Sequence, residues 1–179
     1  MYTTKALIPA ALGALALVPA AAVAHSAGPV AHAARLGNKI VLFKSIGGVG
    51  LGLTPSAVSK KLGKPAHTVK VSGKIAEFDY YGKDDSGLIN VDFDTNNHRD
   101  LADGVFGFAK SLHTSKGIHP GSTVTQLKHA YGSSLHKFHG GFALYKGAPG
   151  SIGGDTTQFG TFQRKIAVID VQTTFNDAG

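Results

Sequence analysis

The sequence predicts an α+β fold with two repeats of a helix followed by an antiparallel sheet, the strands lying either in separate sheets or in one continuous curved sheet. Three observations lead to this prediction. The segment 48–63 returns in similar form at 117–132, and self-similarity at a fixed offset indicates a repeated architecture. After each copy the hydrophobic period changes from about 3.6 residues to 2. The chain has no cysteine, so its core rather than disulfides must hold it together.

The two copies align without a gap at an offset of 69 residues. Four further positions keep their chemical character in addition to those that are identical. The identical positions are Gly48 and Gly117, Gly52 and Gly121, Thr54 and Thr123, and Gly63 and Gly132. Because these identities fall where a helix begins or ends, both copies specify the same local structure.

Residues 1–24 have the features of a secretory signal peptide. Lys5 is the only charge, the run after it is apolar, and Ala22-Val23-Ala24 matches a cleavage site before His25. A membrane anchor is the alternative, since the apolar run approaches the ~18 residues of a spanning helix. Its prolines and small residues, and the lack of a basic cluster after it, favour cleavage. We therefore expect a secreted, periplasmic or cell-wall protein without a membrane anchor after cleavage.

The mature chain is predicted to begin with a flexible leader, 25–38, which is rich in Ala and Gly. No long linker follows. Repeat 1 is expected to span 39–115 and repeat 2 to span 116–179, each with one helix and antiparallel strands.

Composition excludes several classes of function. Without cysteine the chain has no thiol nucleophile and no site for a lipid-modified N-terminal cysteine. The net charge is +7, with lysines scattered from Lys39 to Lys165. This pattern predicts a solvated basic surface, and attraction to anionic wall polymers or acidic proteins is the alternative. No nucleic-acid partner is predicted, because no stacking motif accompanies the charge.

Each copy predicts a short helix with defined ends. In copy one, Thr54 is the N-cap and Pro55 occupies the first helical position, where its missing N–H costs nothing. In copy two, Thr123 and Gln126 form a capping box. A glycine ends each helix. Different residues in the two copies thus specify the same kind of helix N-terminus.

Strands are expected after each helix. Alternation predicts a hairpin of 75–81 and 88–94 in which Tyr81 pairs with Leu88. This register gives one apolar and one polar face, as in an antiparallel sheet covered on one side. Further strands are expected at 105–109, 142–145, 158–162 and 166–171.

The first copy carries a motif of an exported protein family. The stretch 52–58, with Leu62-Gly63 and Pro65, resembles the G-M-T-x-x-x-V…L-G-x-P signature of the outer-membrane assembly lipoproteins (SmpA/OmlA, or BamE-like) and the secreted β-lactamase inhibitory proteins. The stretch 121–127 fits the same pattern but has no proline after its glycine. The resemblance implies a helix-plus-sheet unit repeated twice, in an exported, non-catalytic protein that binds with its sheet. The lipidated cysteine of the assembly lipoproteins and the disulfides of the inhibitory proteins are absent.

The polar side of the predicted hairpin is the candidate binding face. Glu77 and Asp79 on its first strand stand against Asp92 on its second, and like charges opposite each other are mildly destabilising. Screening by water or a nearby lysine is one interpretation. The other is that these acids, with Tyr81 and Leu88, meet a basic partner or a cation, since tyrosine beside an apolar neighbour is typical of binding hot spots. We expect the partner to be an exported or cell-envelope protein.

The segment after this hairpin is a calcium candidate. Oxygen-bearing side chains occupy loop positions 1, 3, 5, 9 and 12, the spacing of a helix–loop–helix calcium site. These residues are Asp92, Asp94, Asn96, Asp100 and Asp103. Asn97 stands where the calcium loop needs glycine, and the segment follows a strand. An Asn/Asp-rich turn between two strands is therefore the favoured interpretation.

Neither a cofactor nor an enzyme activity is predicted. The pair His136 and His139 lacks a third ligand, and a zinc site needs three or four. The glycines of 47–52 are not followed by the Lys-Ser/Thr of a phosphate loop, and no serine lies in a G-x-S-x-G elbow. The leading hypothesis is a secreted, non-catalytic binding protein. An exported calcium- or cell-wall-polymer-binding protein and an uncharacterised hydrolase are the alternatives.

Overall fold

The computed structural model describes residues 36–81, 87–95, 100–147 and 154–173. The predicted signal peptide and most of the predicted leader lie outside these ranges. The last three leader residues belong to the fold: Leu36 packs against the core, and the Asn38 carbonyl accepts a hydrogen bond from the His113 N–H at 2.8 Å. The described fold therefore includes these three residues.

Helices and strands account for most of the described residues. The helices are α1 (Pro55–Leu62) and α2 (Val124–Tyr131), the second followed by a 3₁₀ turn (Gly132–Ser134). The strands are β1 (Lys39–Val41), β2 (Ser45–Ile46), β3 (Val49–Gly50), β4 (His67–Val71), β5 (Lys74–Tyr81), β6 (Gly87–Phe93), β7 (Ala102–Gly107), β8 (His113–Thr114), β9 (His136–Phe138), β10 (Gly141–Tyr145), β11 (Asp155–Phe162) and β12 (Lys165–Thr173). Within the described ranges, neither helix is long and apolar enough to cross a membrane.

The strands form two sheets. The larger is an eight-stranded antiparallel sheet in the order β4-β5-β6-β7-β12-β11-β10-β9, so that two four-stranded meanders meet at their last strands. The smaller has the order β3-β2-β1-β8, with β1 and β8 parallel. The architecture is α+β, as the sequence predicts.

Both helices begin and end at the predicted residues. The Thr54 hydroxyl accepts a hydrogen bond from the Ala57 N–H at 3.3 Å. Thr123 and Gln126 form the reciprocal bonds of a capping box, at 3.2 Å and 2.8 Å. The glycines that follow the helices have positive φ, which glycine adopts without steric cost. The helix predictions are therefore confirmed.

The predicted hairpin is β5–β6, and its register is confirmed except at the loop end. Glu77 lies opposite Asp92, and Tyr80 opposite Ile89. A bulge after Tyr80 places Tyr81 opposite Gly87, so the predicted pairing of Tyr81 with Leu88 is wrong. The local cause is one extra residue on the β6 side, a feature that alternation of side chains does not encode. The strand expected at 105–109 also begins earlier, as β7.

One face of the eight-stranded sheet, which we call the apolar face, is covered. The Tyr80 hydroxyl donates to the carbonyl of Gly63 at the end of α1, at 3.3 Å. Tyr131 of α2 contacts the ring of Phe159 with centroids 5.6 Å apart. The small sheet reaches the same face, since a Cβ at Gly107 would lie 2.9 Å from Ile46. These contacts unite the buried side chains into one core cluster.

The opposite face, which we call the polar face, carries the alternate residues of the same strands. Many are polar or aromatic. They include Glu77, Asp79 and Tyr81 of β5, Asn90 and Asp92 of β6, Phe106 of β7, Asp170 and Gln172 of β12, Thr156 and Gln158 of β11, and Tyr145 of β10.

The two outermost strands of the eight-stranded sheet were not predicted. Every residue of β4 is exposed, and its pairing with β5 is broken by a bulge between Val69 and Lys70. The other edge strand, β9, is three residues long and also exposed. Neither strand contributes to the buried core, although residues 68–71 of β4 alternate polar and apolar side chains.

Packing at the junction of β7 and β12 predicts the effect of adding a methyl group there. A Cβ at Gly107 would lie 2.8 Å from Leu112 and 2.9 Å from Ile46. We expect Gly107→Ala to lower the free energy of unfolding by about 1–3 kcal/mol because the core must shift to admit it. Gly50→Ala is the matched control, since its Cβ would meet neighbours at ordinary contact distance. Urea unfolding of both variants measures the difference, and equal stabilities would contradict the close packing of this junction.

Candidate functional site

The structure brings the predicted acids together on the polar face. Glu77 and Asp92 are register partners on β5 and β6, and Asp79 is two residues along from Glu77. All three are half-buried. The acidic half of the predicted binding face therefore exists as a contiguous cluster of side chains.

Asn90 holds this cluster together, and the sequence analysis did not single it out. Its side-chain amide donates hydrogen bonds to the carboxylates of Glu77 and Asp79, the latter at 2.9 Å. A neutral donor between two carboxylates offsets part of their repulsion. Asn90 alternates with Leu88 and Asp92 on the predicted polar side of the hairpin, and this position is the sequence signal that could have identified it.

Burial and mutual repulsion still affect the acids of this surface, despite the hydrogen bonds from Asn90. Burial, followed by the charges of Glu77, Asp103 and Asp79, raises the pKa of Asp92 to about 6. Burial is also the largest cause that raises the pKa of Asp103. The pKa of Tyr81 is raised by burial and then by Asp79 and Glu77. A cation brought to this surface would lower the cost of ionising Asp92.

An aromatic pair borders the cluster. The rings of Tyr81 and His67 meet edge to face with centroids 5.6 Å apart. Leu88, the apolar member of the predicted face, is half-buried beside the bulge and is one residue removed from the predicted pairing with Tyr81. A second pair, His136 with Tyr145, has its centroids 5.2 Å apart and lies at the opposite end of the sheet. Each end of the polar face thus carries a histidine packed on a tyrosine.

The calcium candidate is divided among different elements. Asp92 and Asp103 belong to the adjacent antiparallel strands β6 and β7, and Asp100 forms an ion pair with Lys74 at 3.5 Å. Asp94 is buried directly after β6, and Asn96 lies outside the described residues. Among the described residues, no group of three or more His, Asp and Glu could hold a metal ion. The segment joins two strands, in agreement with the turn interpretation.

Asp170 is a buried acid at the centre of the polar face that the sequence analysis missed. It is 5% exposed, and its Oδ1 atom has no hydrogen-bond partner. Burial raises its pKa to about 7, opposed by a hydrogen bond from Gln172. A single acid within the otherwise apolar stretch 166–171 is the signal that could have revealed it.

The chain was compared with known proteins. Neither a protein-family model nor a curated protein matches it. Among solved structures, the crystal structure of the uncharacterized protein yfeY from Escherichia coli matches with 13% sequence identity and a TM-score of 0.47. The match covers 76% of this chain and 99% of that chain. Similarity at this level carries no argument about fold or function.

The buried carboxyl of Asp170 makes stability depend on pH. Because its pKa is raised, the folded state keeps a proton that the unfolded state loses between about pH 4 and pH 7, and stability falls as pH rises through that window. An asparagine side chain at this position would be neutral at every pH. We therefore expect the stability of Asp170→Asn relative to the natural chain to be higher at pH 8 than near pH 4 by about 4 kcal/mol.

Denaturant unfolding at several pH values measures this difference. Asp155→Asn is the control, since Asp155 forms an ion pair with Lys146, a largely exposed residue, and surface pairs contribute below about 1 kcal/mol. The stability gain of Asp170→Asn over the natural chain should be larger at pH 8 than at pH 4. A gain that is equal at both pH values would contradict the buried, protonated carboxyl.

Proposed function

We propose that the protein is an exported, non-catalytic binding protein that docks another protein on the polar face of its eight-stranded sheet. The observation that carries the proposal is the asymmetry of the sheet. Helices and a small sheet cover the apolar face, whereas the polar face presents a cluster of half-buried acids bordered by the ring pair of His67 and Tyr81.

The charge of this surface favours a basic partner. The chain as a whole is cationic, with a net charge of +7, yet Glu77, Asp79 and Asp92 are gathered on one face. Burial and, after it, the charges of neighbouring acids raise the pKa of Asp92. Lys or Arg side chains of a partner would compensate these charges, and such complementarity gives specificity and fast association. Tyr81 and Leu88 add the apolar contact that hot spots need.

The polar face is large enough for a specific complex. Eight strands ~4.8 Å apart, with about seven residues each at ~3.4 Å, span ~800 Å². A standard protein–protein interface buries about 800 Å² on each partner. Docking across both meanders, rather than on the β5–β6 hairpin alone, is therefore required to fill a typical interface.

We also propose that the chain consists of two copies of one unit, 39–115 and 116–179. In support, each helix precedes a meander of four strands. The N-caps have nearly equal backbone angles, φ −74° and ψ 157° at Thr54 against φ −77° and ψ 155° at Thr123. The ring-paired His67 and His136 are separated by 69 residues, the offset of the sequence repeat. A unit of this kind is what the resemblance to the assembly lipoproteins and the inhibitory proteins implies.

Charge reversal tests the docking face. Mature protein from His25 onward is immobilised and exposed to exported proteins of the source cell, and the affinity of a captured protein is then measured. We expect Glu77→Lys combined with Asp79→Lys to weaken binding at least ~10-fold, because two attractive contacts become repulsive. Asp155→Lys is the matched control, because Asp155 lies two residues before Thr157 on β11 and therefore on the apolar side of the sheet.

Three results would contradict the proposal. The double variant could retain its affinity within twofold while circular dichroism shows it folded. The Asp155→Lys variant could lose as much affinity as the double variant. The immobilised protein could retain only wall polymer that elutes at moderate salt, which is the result expected of a basic surface.

A further inference from the structure

The centre of the polar face holds two buried polar atoms without a hydrogen-bond partner in the described structure. Asp170 Oδ1 is one, and Thr156 Oγ1 is the other; the two residues are 5% and 2% exposed. They lie on the neighbouring strands β12 and β11, where Asp170 is opposite Gln158 and Thr156 is opposite Gln172. A buried polar atom that lacks a partner costs about 1–3 kcal/mol. Two of them side by side need an explanation.

The groups around Asp170 carry no charge of their own. Its cross-strand neighbours are Phe106 on β7 and Gln158 on β11, and Gln172 follows on its own strand. Asp92 of the acidic cluster lies on β6, two strands away. Neither of the ion pairs seen in the described ranges involves Asp170. A cation from outside the chain could pair with its carboxylate only if neighbouring side chains opened, because Asp170 is 5% exposed.

The surrounding side chains can open to admit such a cation. Gln158 Nε2 donates to Gln172 Oε1 at 3.5 Å, which is the outer limit of a hydrogen bond. Both side chains are half-buried. The ring of Phe106 leans along its strand towards Gly104, where a Cβ would lie 3.0 Å from it. Glycine at this position thus leaves room for the ring to lie along the strand.

We propose that Asp170, Thr156, Gln158, Gln172 and Phe106 form a pocket for the guanidinium group of an arginine side chain. The inference rests on the proposed function, because the arginine belongs to the protein that docks on the polar face. It adds a specific anchor at the junction of the two meanders, on strands other than those of the β5–β6 acids.

The chemistry of the pocket favours a guanidinium over an ammonium group. A guanidinium has five N–H donors in one plane, and the pocket offers the Asp170 carboxylate, the Thr156 hydroxyl and two amide oxygens as acceptors. Its flat face stacks on aromatic rings, and it is more weakly hydrated than an ammonium. An aromatic wall beside a carboxylate, as Phe106 is beside Asp170, matches both properties.

A small probe tests the pocket without the partner. Ethylguanidinium chloride is titrated into the full mature chain while the side-chain signals of Asp170, Gln158 and Gln172 are followed by NMR. We expect saturable shifts in the millimolar range and a pKa of Asp170 lowered by about one unit at saturation, since an opposite charge favours the ionised form. n-Butylammonium chloride at equal ionic strength should bind at least ~5-fold more weakly.

Two variants make the result specific. Asp170→Asn should abolish the saturable shifts at Gln158 and Gln172, whereas Glu77→Gln, in the other acidic cluster, should leave them intact. Shifts that grow linearly with salt, that butylammonium reproduces or that survive in Asp170→Asn would overturn the proposal.

The two proposals fail separately. If ethylguanidinium does not saturate the pocket, but the protein captures a partner whose affinity depends on Glu77 and Asp79, the arginine pocket is overturned and the docking face stands. If ethylguanidinium binds saturably and Asp170→Asn abolishes this binding, but the protein captures no partner, the pocket stands as a guanidinium site and the docking function is overturned.

Discussion

Antiparallel pairing between β7 and β12 is the interaction on which the rest of the structure depends. Four register pairs join two meanders that are far apart in sequence. At this junction Val105, Ile169 and Val171 are fully buried on the apolar face, beneath residues of the small sheet. Without the pairing, each meander would have an open edge at its last strand. One continuous sheet with one covered face follows from this contact.

That arrangement also decides where polar chemistry can accumulate. A sheet covered on one side has a second face that must either meet water or meet a partner. Here the second face gathers acids that the cationic chain does not neutralise, bridged by Asn90 near one end and buried as Asp170 at the centre. Retaining a carboxyl in an unfavourable environment costs stability, and such costs are typical of surfaces kept for binding.

Local features of the sequence predicted local features of the fold. The helix ends follow from Thr54 and from the capping box of Thr123, because caps are short-range interactions. The β5–β6 register follows from alternation, which failed only at the bulge that displaces Tyr81. The junction of β7 with β12 and the neighbours of Asp170 depend on contacts between distant residues. A single sequence carries no direct signal for such contacts, so these parts could be found only in the structure.

The edges of the eight-stranded sheet have a consequence for how the protein can assemble. An unpaired edge strand is a template on which another chain can extend the sheet, the first step towards fibrous aggregates. The edge strand β4 is five residues long and carries Lys70, and β9, with three residues, is too short to recruit a long strand. Self-association along the rim is thereby discouraged.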